Sequence, residues 1–112
     1  MIDDLGAAPT GLIVSAVHGN DGIRLVVAGD VDVISAGQFR EYLAGALDLR
    51  PAALTVDLGG VRFLDSTGLS ALVYAHNRAQ DAGISLVVAA PQPQVRRILD
   101  VTGLLTVLTE EG

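Results

Sequence analysis

The sequence predicts a single α/β domain built on a mixed, mostly parallel sheet, with an N-terminal hairpin and three or four helices. Apolar runs rich in β-branched residues alternate with segments whose apolar residues recur every three or four positions. Such alternation indicates parallel strands joined by right-handed crossovers. The first two apolar runs are separated by Gly19-Asn20-Asp21-Gly22, a turn sequence typical of an antiparallel hairpin.

The remaining elements follow from spacing and from helix-breaking residues. Ser35 is the predicted N-cap of a first helix, which Pro51 stops. The next strand is apolar apart from Thr55 and Asp57, a pattern close to that of a strand covered on both faces. The predicted strands are 12–18, 23–28, 52–58 and 84–89, the later helices are 69–82 and 94–101, and 104–108 is either a short strand or a helical edge.

Composition limits the class of protein. A chain of 112 residues, half of them hydrophobic and 18% charged, is enough for one packed domain over 12–108. Residues 1–11 are predicted to form a flexible arm, and residues 109–112 a solvated tail. A net charge of −6 disfavours nucleic acids and anionic membranes. Cysteine is absent, and neither a signal peptide nor a membrane-spanning run is visible, so we expect a soluble cytoplasmic protein.

A polar cluster, Asp65-Ser66-Thr67-Gly68, stands between a predicted strand and a predicted helix. Helix capping explains it most simply, with either Asp65 or Ser66 accepting hydrogen bonds from first-turn amides. The alternative is functional, because a helix N-terminus also favours an anion. An exposed hydroxyl there is suited to carry a phosphate.

Two further carboxylates, Asp30 and Asp32, follow the second predicted strand. They belong either to an ordinary polar loop or to a contact surface. If this loop and the Ser66 turn lie at the same end of the sheet, they form an acidic patch around a hydroxyl.

Catalytic and metal-binding motifs are missing. His18 and His76 are the two histidines, and no converging set of zinc ligands accompanies them. A triad of Ser66, His76 and Asp57 lacks the G-x-S-x-G elbow, and His76 lies about three turns, or roughly 15 Å, along the helix from Ser66. Phosphate-binding glycine loops do not occur either. We therefore expect neither an enzyme nor a bound cofactor.

Several segments resemble the STAS family, and specifically the bacterial anti-sigma factor antagonists. The most specific are the D-S-x-G-L turn in its strand–helix context and Gly29-Asp30-Val31-Asp32, which is similar to the family's G-E-[IL]-D loop. The resemblance extends over residues 12–108. The other similar segments are Val56-Asp57-Leu58, Phe63-Leu64, Ser35-Ala36, Gly83-Ile84-Ser85-Leu86 and Val101-Thr102-Gly103-Leu104.

This resemblance implies a partner-switching mechanism. The unphosphorylated antagonist binds an anti-sigma factor that is also a serine kinase, and so releases a sigma factor that directs transcription. The kinase, which holds the ATP, phosphorylates Ser66 and the complex separates, after which a phosphatase restores the antagonist. Thr67 is a second possible acceptor, but position favours Ser66. The partner-binding residues implied are Asp30, Asp32, Asp65, Thr67, Gly68 and Leu69. The alternative is a STAS module that never switches and only scaffolds a larger signalling or transport assembly.

Overall fold

The computed structural model describes the backbone of residues 2–7 and all of residues 11–109. Within these residues the strands are β1 Ile2–Ala7, β2 Ile13–Gly19, β3 Gly22–Val31, β4 Ala53–Leu64 and β5 Ser85–Ala89, and the helices are α1 Ala36–Asp48, α2 Ser66–Ala82, α3 Pro93–Val101 and α4 Leu105–Leu108. The five strands form one sheet in the order β1-β2-β3-β4-β5. Pairs β1–β2 and β2–β3 are antiparallel, while β3–β4 and β4–β5 are parallel, so β2 alone runs against the other four strands.

This architecture confirms the predicted α/β class with a mixed sheet and an N-terminal hairpin. The segment 104–108, for which a strand and a helical edge were both considered, contains the short helix α4. In the part of the chain that the structure describes, no helix combines the length and the apolar character needed to cross a bilayer.

One face of the sheet forms the core. Val14, Leu25 and Val56 share that face and are buried there, and α1 lies over it against α2. The opposite face is half-exposed and carries an ion pair between Arg24 and Asp57 at 2.8 Å. The prediction that residues 52–58 are covered on both faces is therefore wrong, since the polar residues of that run mark its exposed side.

Strands β3 and β4 are longer than predicted, and this places the candidate site. Beyond the predicted end of the strand at residue 58, β4 continues through Gly60, where an added Cβ would lie 2.7 Å from the Cβ of Ala28. Two register shifts absorb the irregularity, and the strands still end side by side with Val31 opposite Leu64. Because the pairing is parallel, the loops that follow both strands leave the sheet at the same end.

The N-terminal segment differs from the prediction. Residues Ile2–Ala7 form β1, which pairs with β2 in antiparallel register, so the flexible arm predicted over residues 1–11 is wrong for these six residues. Backbone hydrogen bonding to the open edge of β2 explains a strand that has no alternating apolar pattern. Residues 1, 8–10 and 110–112 of the predicted arm and tail lie outside the described residues.

The hairpin turn gives a first testable prediction. Gly22 has φ +138°, and an added Cβ would lie 2.0 Å from the carbonyl oxygen of Ala53. We expect Gly22→Ala to lower the free energy of unfolding by about 2 kcal/mol or more, because the backbone must move to relieve strain and overlap. Urea denaturation measures this change.

Gly45→Ala is the matched control, because nothing lies within 4 Å of a Cβ added at that helical position. It should raise stability by about 0.5–1 kcal/mol through helix propensity. A Gly22→Ala protein as stable as the wild type would contradict the close contact between the hairpin turn and β4.

Candidate functional site

The helix α2 is capped by Asp65. This residue follows β4 in an extended conformation, with φ −99° and ψ −171°. Its Oδ1 accepts hydrogen bonds from the backbone amides of Thr67 at 2.9 Å and Gly68 at 3.2 Å. Of the two capping residues that the sequence allowed, the structure therefore selects Asp65. The helix also begins at Ser66, three residues before its predicted start.

The cap distinguishes the two neighbouring hydroxyls. Thr67 donates its hydroxyl proton to Oδ1 of Asp65, the same oxygen that accepts the helix amides. Ser66 is exposed, and its hydroxyl has no hydrogen-bond partner among residues 11–109. The first turn of α2 thus presents one unengaged hydroxyl, beside amides and a helix dipole that favour negative charge.

The electrostatics of Asp65 follow from these contacts. The hydrogen bond from the Thr67 hydroxyl is the largest influence, and it lowers the pKa of the Asp65 carboxyl below 3.8. Partial burial opposes this change, while the backbone amides of Gly68, Thr67 and Val33 act in the same direction as the hydroxyl. The cap is therefore a carboxylate at neutral pH.

Two contacts join the ends of β3 and β4 beneath the cap. The amide of Asp65 donates to the carbonyl oxygen of Val31 at 3.1 Å. A Cβ added to Gly68 would lie 2.7 Å from Cγ1 of Val31 and 2.8 Å from Cδ1 of Leu64, so the helix start sits directly on both strand ends. The loop after β3 and the Ser66 turn consequently lie at the same end of the sheet, which is the condition on which the predicted acidic patch depended.

The loop after β3 is held by Ser35 from inside. The side chain of Ser35 is fully buried, and its hydroxyl donates to the carbonyl of Asp30 at 2.9 Å and accepts from the amide of Asp32 at 3.0 Å. Ser35 occupies the predicted N-cap position of α1, and its carbonyl accepts the amide of Phe39 at 3.0 Å, but its side chain makes no capping bond to the helix. Asp32 instead accepts the amides of Ile34 and Ser35 at 3.0 and 3.2 Å. The Ser35 hydroxyl stabilises the loop because it hydrogen-bonds to two of the loop's own backbone groups.

Three exposed apolar side chains lie on the segments that lead into the site, the loop after β3 and the end of β4. Val33 and Ile34 are each 74% exposed at the tip of the braced loop, and Phe63 is 49% exposed at the end of β4. None of the three was predicted to be functional. The signal available in the sequence was an apolar Val-Ile pair inside an otherwise polar loop. Burial in the core does not explain apolar residues in a surface loop. Large apolar side chains exposed together are typical of a protein-binding surface.

The predicted acidic patch is partly neutralised. Nε of Arg62 lies 3.5 Å from Oδ1 of Asp30, and both side chains are largely exposed, so the pair is weak. Asp32 and Asp65 accept backbone amides within their own turns. Asp30 is thus the carboxylate of the three that a partner's cation can most easily recruit.

The other predicted partner-binding residues are placed unequally. Thr67 is half-buried beside Ser66, whereas Gly68 is buried and Leu69 is 8% exposed. Both of the latter pack the start of α2 onto the sheet and present little surface. Among the described residues, no group of three His, Cys, Asp or Glu side chains is arranged to hold a metal ion.

The cap leads to a second testable prediction. Because the pKa of Asp65 is lower in the folded chain than in the unfolded chain, its contribution to stability is present above about pH 4 and is lost as the pH falls through the folded value. Asp65→Ala should therefore lower the free energy of unfolding by about 0.5–2 kcal/mol at neutral pH, and by less in acid. Urea denaturation of both proteins across this pH range measures the difference.

Asp81→Ala removes the same charge from an exposed position in the last turn of α2, where no cap is lost. It separates the capping effect from the change in net charge. If Asp65→Ala lowered the free energy of unfolding by the same amount at all pH values, that result would argue against a carboxylate cap.

Comparison with known proteins agrees with this geometry. The STAS domain family model matches residues 15–110. The anti-sigma-B factor antagonist of Bacillus subtilis strain 168 is 33% identical over 86 residues, covering 77% of this chain and 78% of that protein. The crystal structure of an anti-sigma factor antagonist from Mycobacterium paratuberculosis matches with a TM-score of 0.76 and 25% identity, covering 92% of this chain and 87% of that one.

The fold is also shared with the phosphorylated form of the Bacillus protein SpoIIAA. That match has a TM-score of 0.64 and 16% identity, and covers 86% of this chain and 87% of that chain. The same architecture therefore exists in a phosphorylated protein. Since the family model spans most of the sequence and the relatives align over most of both chains, this chain belongs to the STAS domain family.

Proposed function

We propose that this chain is an anti-sigma factor antagonist that binds an anti-sigma factor with serine kinase activity and is released when that kinase phosphorylates Ser66. The proposal depends chiefly on one observation, the exposed and unengaged hydroxyl of Ser66 among exposed apolar side chains. The relatives that are themselves named antagonists supply the class of partner. In this role the chain is the substrate of a kinase and contributes no catalytic group of its own.

The geometry favours Ser66 over Thr67 as the acceptor. In the transfer, Oγ of Ser66 bonds to the γ-phosphorus of ATP while the bond from that phosphorus to the β–γ bridging oxygen breaks. The hydroxyl proton passes to a base of the kinase, and ADP leaves. Using Thr67 instead would first require breaking its hydrogen bond to Asp65, which also supports the helix cap.

Charge explains why phosphorylation would separate the complex. A phosphoryl group adds about −1.5 to −2 charges at neutral pH. Here it would enter a surface that already carries Asp30 and Asp32, on a chain of net charge −6. A loss of roughly 3–4 kcal/mol in binding free energy weakens a complex a few hundred-fold, which is sufficient for a switch.

The proposed contact surface consists of the Ser66 turn and the braced loop. Asp30 and Asp32 would face cations of the kinase, while Val33 and Ile34 would supply apolar contact area. Thr67 would line the same surface. We place this exchange in the cytoplasm, where a kinase finds ATP, and a phosphatase would reverse it.

Phosphorylation of the purified chain is the direct test. Incubation with the cognate kinase and ATP should add one phosphate to the wild type and to Thr67→Val, and none to Ser66→Ala, as measured by intact-mass and fragment mass spectrometry. Phosphorylation of Ser66→Ala at the wild-type rate would overturn the acceptor assignment. Stable kinase binding without phosphorylation of any residue would instead favour the non-switching scaffold.

Binding measurements test the charge argument separately. Ser66→Asp should weaken kinase binding at least about tenfold by calorimetry, while the helical content stays unchanged, because a carboxylate at a helix N-terminus does not disturb the helix. Asn77→Asp is the matched control. It adds the same charge at an exposed position roughly 16 Å further along α2, and it should bind as the wild type does. Equal weakening by both variants would show that net charge matters and position does not.

A further inference from the structure

A groove runs beside Ser66 between α2 and α3. It has a volume of about 680 Å³ and is open to solvent. Ser66 and Ser70 form part of one wall. We name it the α2–α3 groove, and the residues that line it are Phe63, Leu64, Asp65, Ser66, Leu69, Ser70, Val73, Ile98 and Thr102.

The lining of the α2–α3 groove is mainly apolar and partly uncovered. Phe63 is 49% exposed, and Val73 and Ile98 are half-buried. Val101, next to Thr102 at the end of α3, is 78% exposed. Asp65 is the one ionisable residue in the lining, and its Oδ1 is occupied by the cap. An anionic occupant would find no cationic residue in this lining, whereas an apolar one would bury exposed carbon.

Hydrogen bonds fix the far wall of the groove. Two glutamine side chains anchor the start of α3 to β4, since Gln92 donates to the carbonyl of Gly59 at 2.7 Å and Gln94 to that of Arg62 at 2.9 Å. The wall carried by α3 is therefore attached to the same strand that carries Phe63 and Leu64 of the groove. A groove with an anchored wall binds more tightly because less has to be ordered on association.

The position of Ser66 indicates the occupant. Ser66 lines the α2–α3 groove, and the exposed Val33 lies beside the cap, since its backbone amide hydrogen-bonds to Asp65. A kinase that brings the γ-phosphorus of ATP to the Ser66 oxygen must cover the surface around it. The α2–α3 groove is thus continuous with the surface to which the proposed kinase would bind.

We infer that the α2–α3 groove receives an apolar side chain of the same anti-sigma factor kinase that phosphorylates Ser66. This inference rests on the proposed function and specifies the chemistry of the partner at that site. The groove supplies binding that does not depend on charge, alongside the charge-sensitive contacts at Asp30 and Ser66. A substitution that fills the groove should therefore weaken kinase binding by nearly the same factor at low and high salt. The weakening caused by Ser66→Asp should become smaller as the salt concentration rises.

Filling the groove provides the test. Ser70 is exposed in the wall, and its hydroxyl donates to the carbonyl of Ser66 at 3.0 Å. Ser70→Phe should weaken binding to the unphosphorylated chain about tenfold or more at both low and high salt. Ser70→Ala loses the same hydrogen bond without adding bulk, and it should stay within about twofold of the wild type. Calorimetry gives the affinities, and urea denaturation shows whether each variant is folded.

A second pair of variants removes the wall in place of filling the groove. Phe63→Ala should weaken binding to a similar extent, whereas Leu49→Ala, 65% exposed at the end of α1, should have no effect. If Ser66→Asp weakens binding but Ser70→Phe and Phe63→Ala do not, the groove inference is overturned and the proposed function stands. If wild-type binding itself is absent, the proposed function fails. Ser70→Phe could also change the self-association of the free chain and leave its kinase affinity unaltered. That result would assign the groove to a second copy of the chain and would overturn the inference.

Discussion

The carboxylate of Asp65 is the interaction on which the candidate site depends. One oxygen, Oδ1, accepts the amides of Thr67 and Gly68 and the Thr67 hydroxyl, so these three donors are satisfied without the Ser66 side chain. Had Ser66 been the cap, its oxygen would have been held by an amide and turned away from a partner. The serine is available because the residue before it caps the helix.

The cap requires a particular strand arrangement beneath it. Parallel pairing of β3 with β4 ends both strands together, and the hydrogen bond from Asp65 to Val31 closes the junction. Gly68 then allows α2 to lie directly on Val31 and Leu64, where any side chain would overlap them. These contacts are apolar or internal to the backbone, so a local change of charge at Ser66 does not disturb them.

Patterns within single segments predicted much of this fold. Features that depend on contacts between distant segments of the chain were not predicted. The helix and strand order followed from periodicity, and the Asp65 turn from its capping chemistry. Strand β1 depends on the open edge of β2, which no local pattern shows. The predicted end of β4 was too early because two consecutive glycines, Gly59 and Gly60, are typical of a turn, although Gly60 pairs with Ala28 in an irregular part of the ladder. The N-cap position of Ser35 followed from the sequence, whereas the use of its hydroxyl as a buried brace depends on how the loop folds back.

The same arrangement would allow the proposed phosphorylation to change binding without changing the fold. A phosphoryl group on Thr67 would replace a hydroxyl that donates to Asp65 and would set two anions against each other within the cap. On Ser66 it would replace a hydroxyl that holds nothing in place, at the helix end where negative charge is favoured. The proposed phosphate would therefore leave the fold intact and act on an interface that must exclude water around it. In that proposal the free energy of switching is expressed almost entirely in the complex, so the domain itself does not have to change conformation.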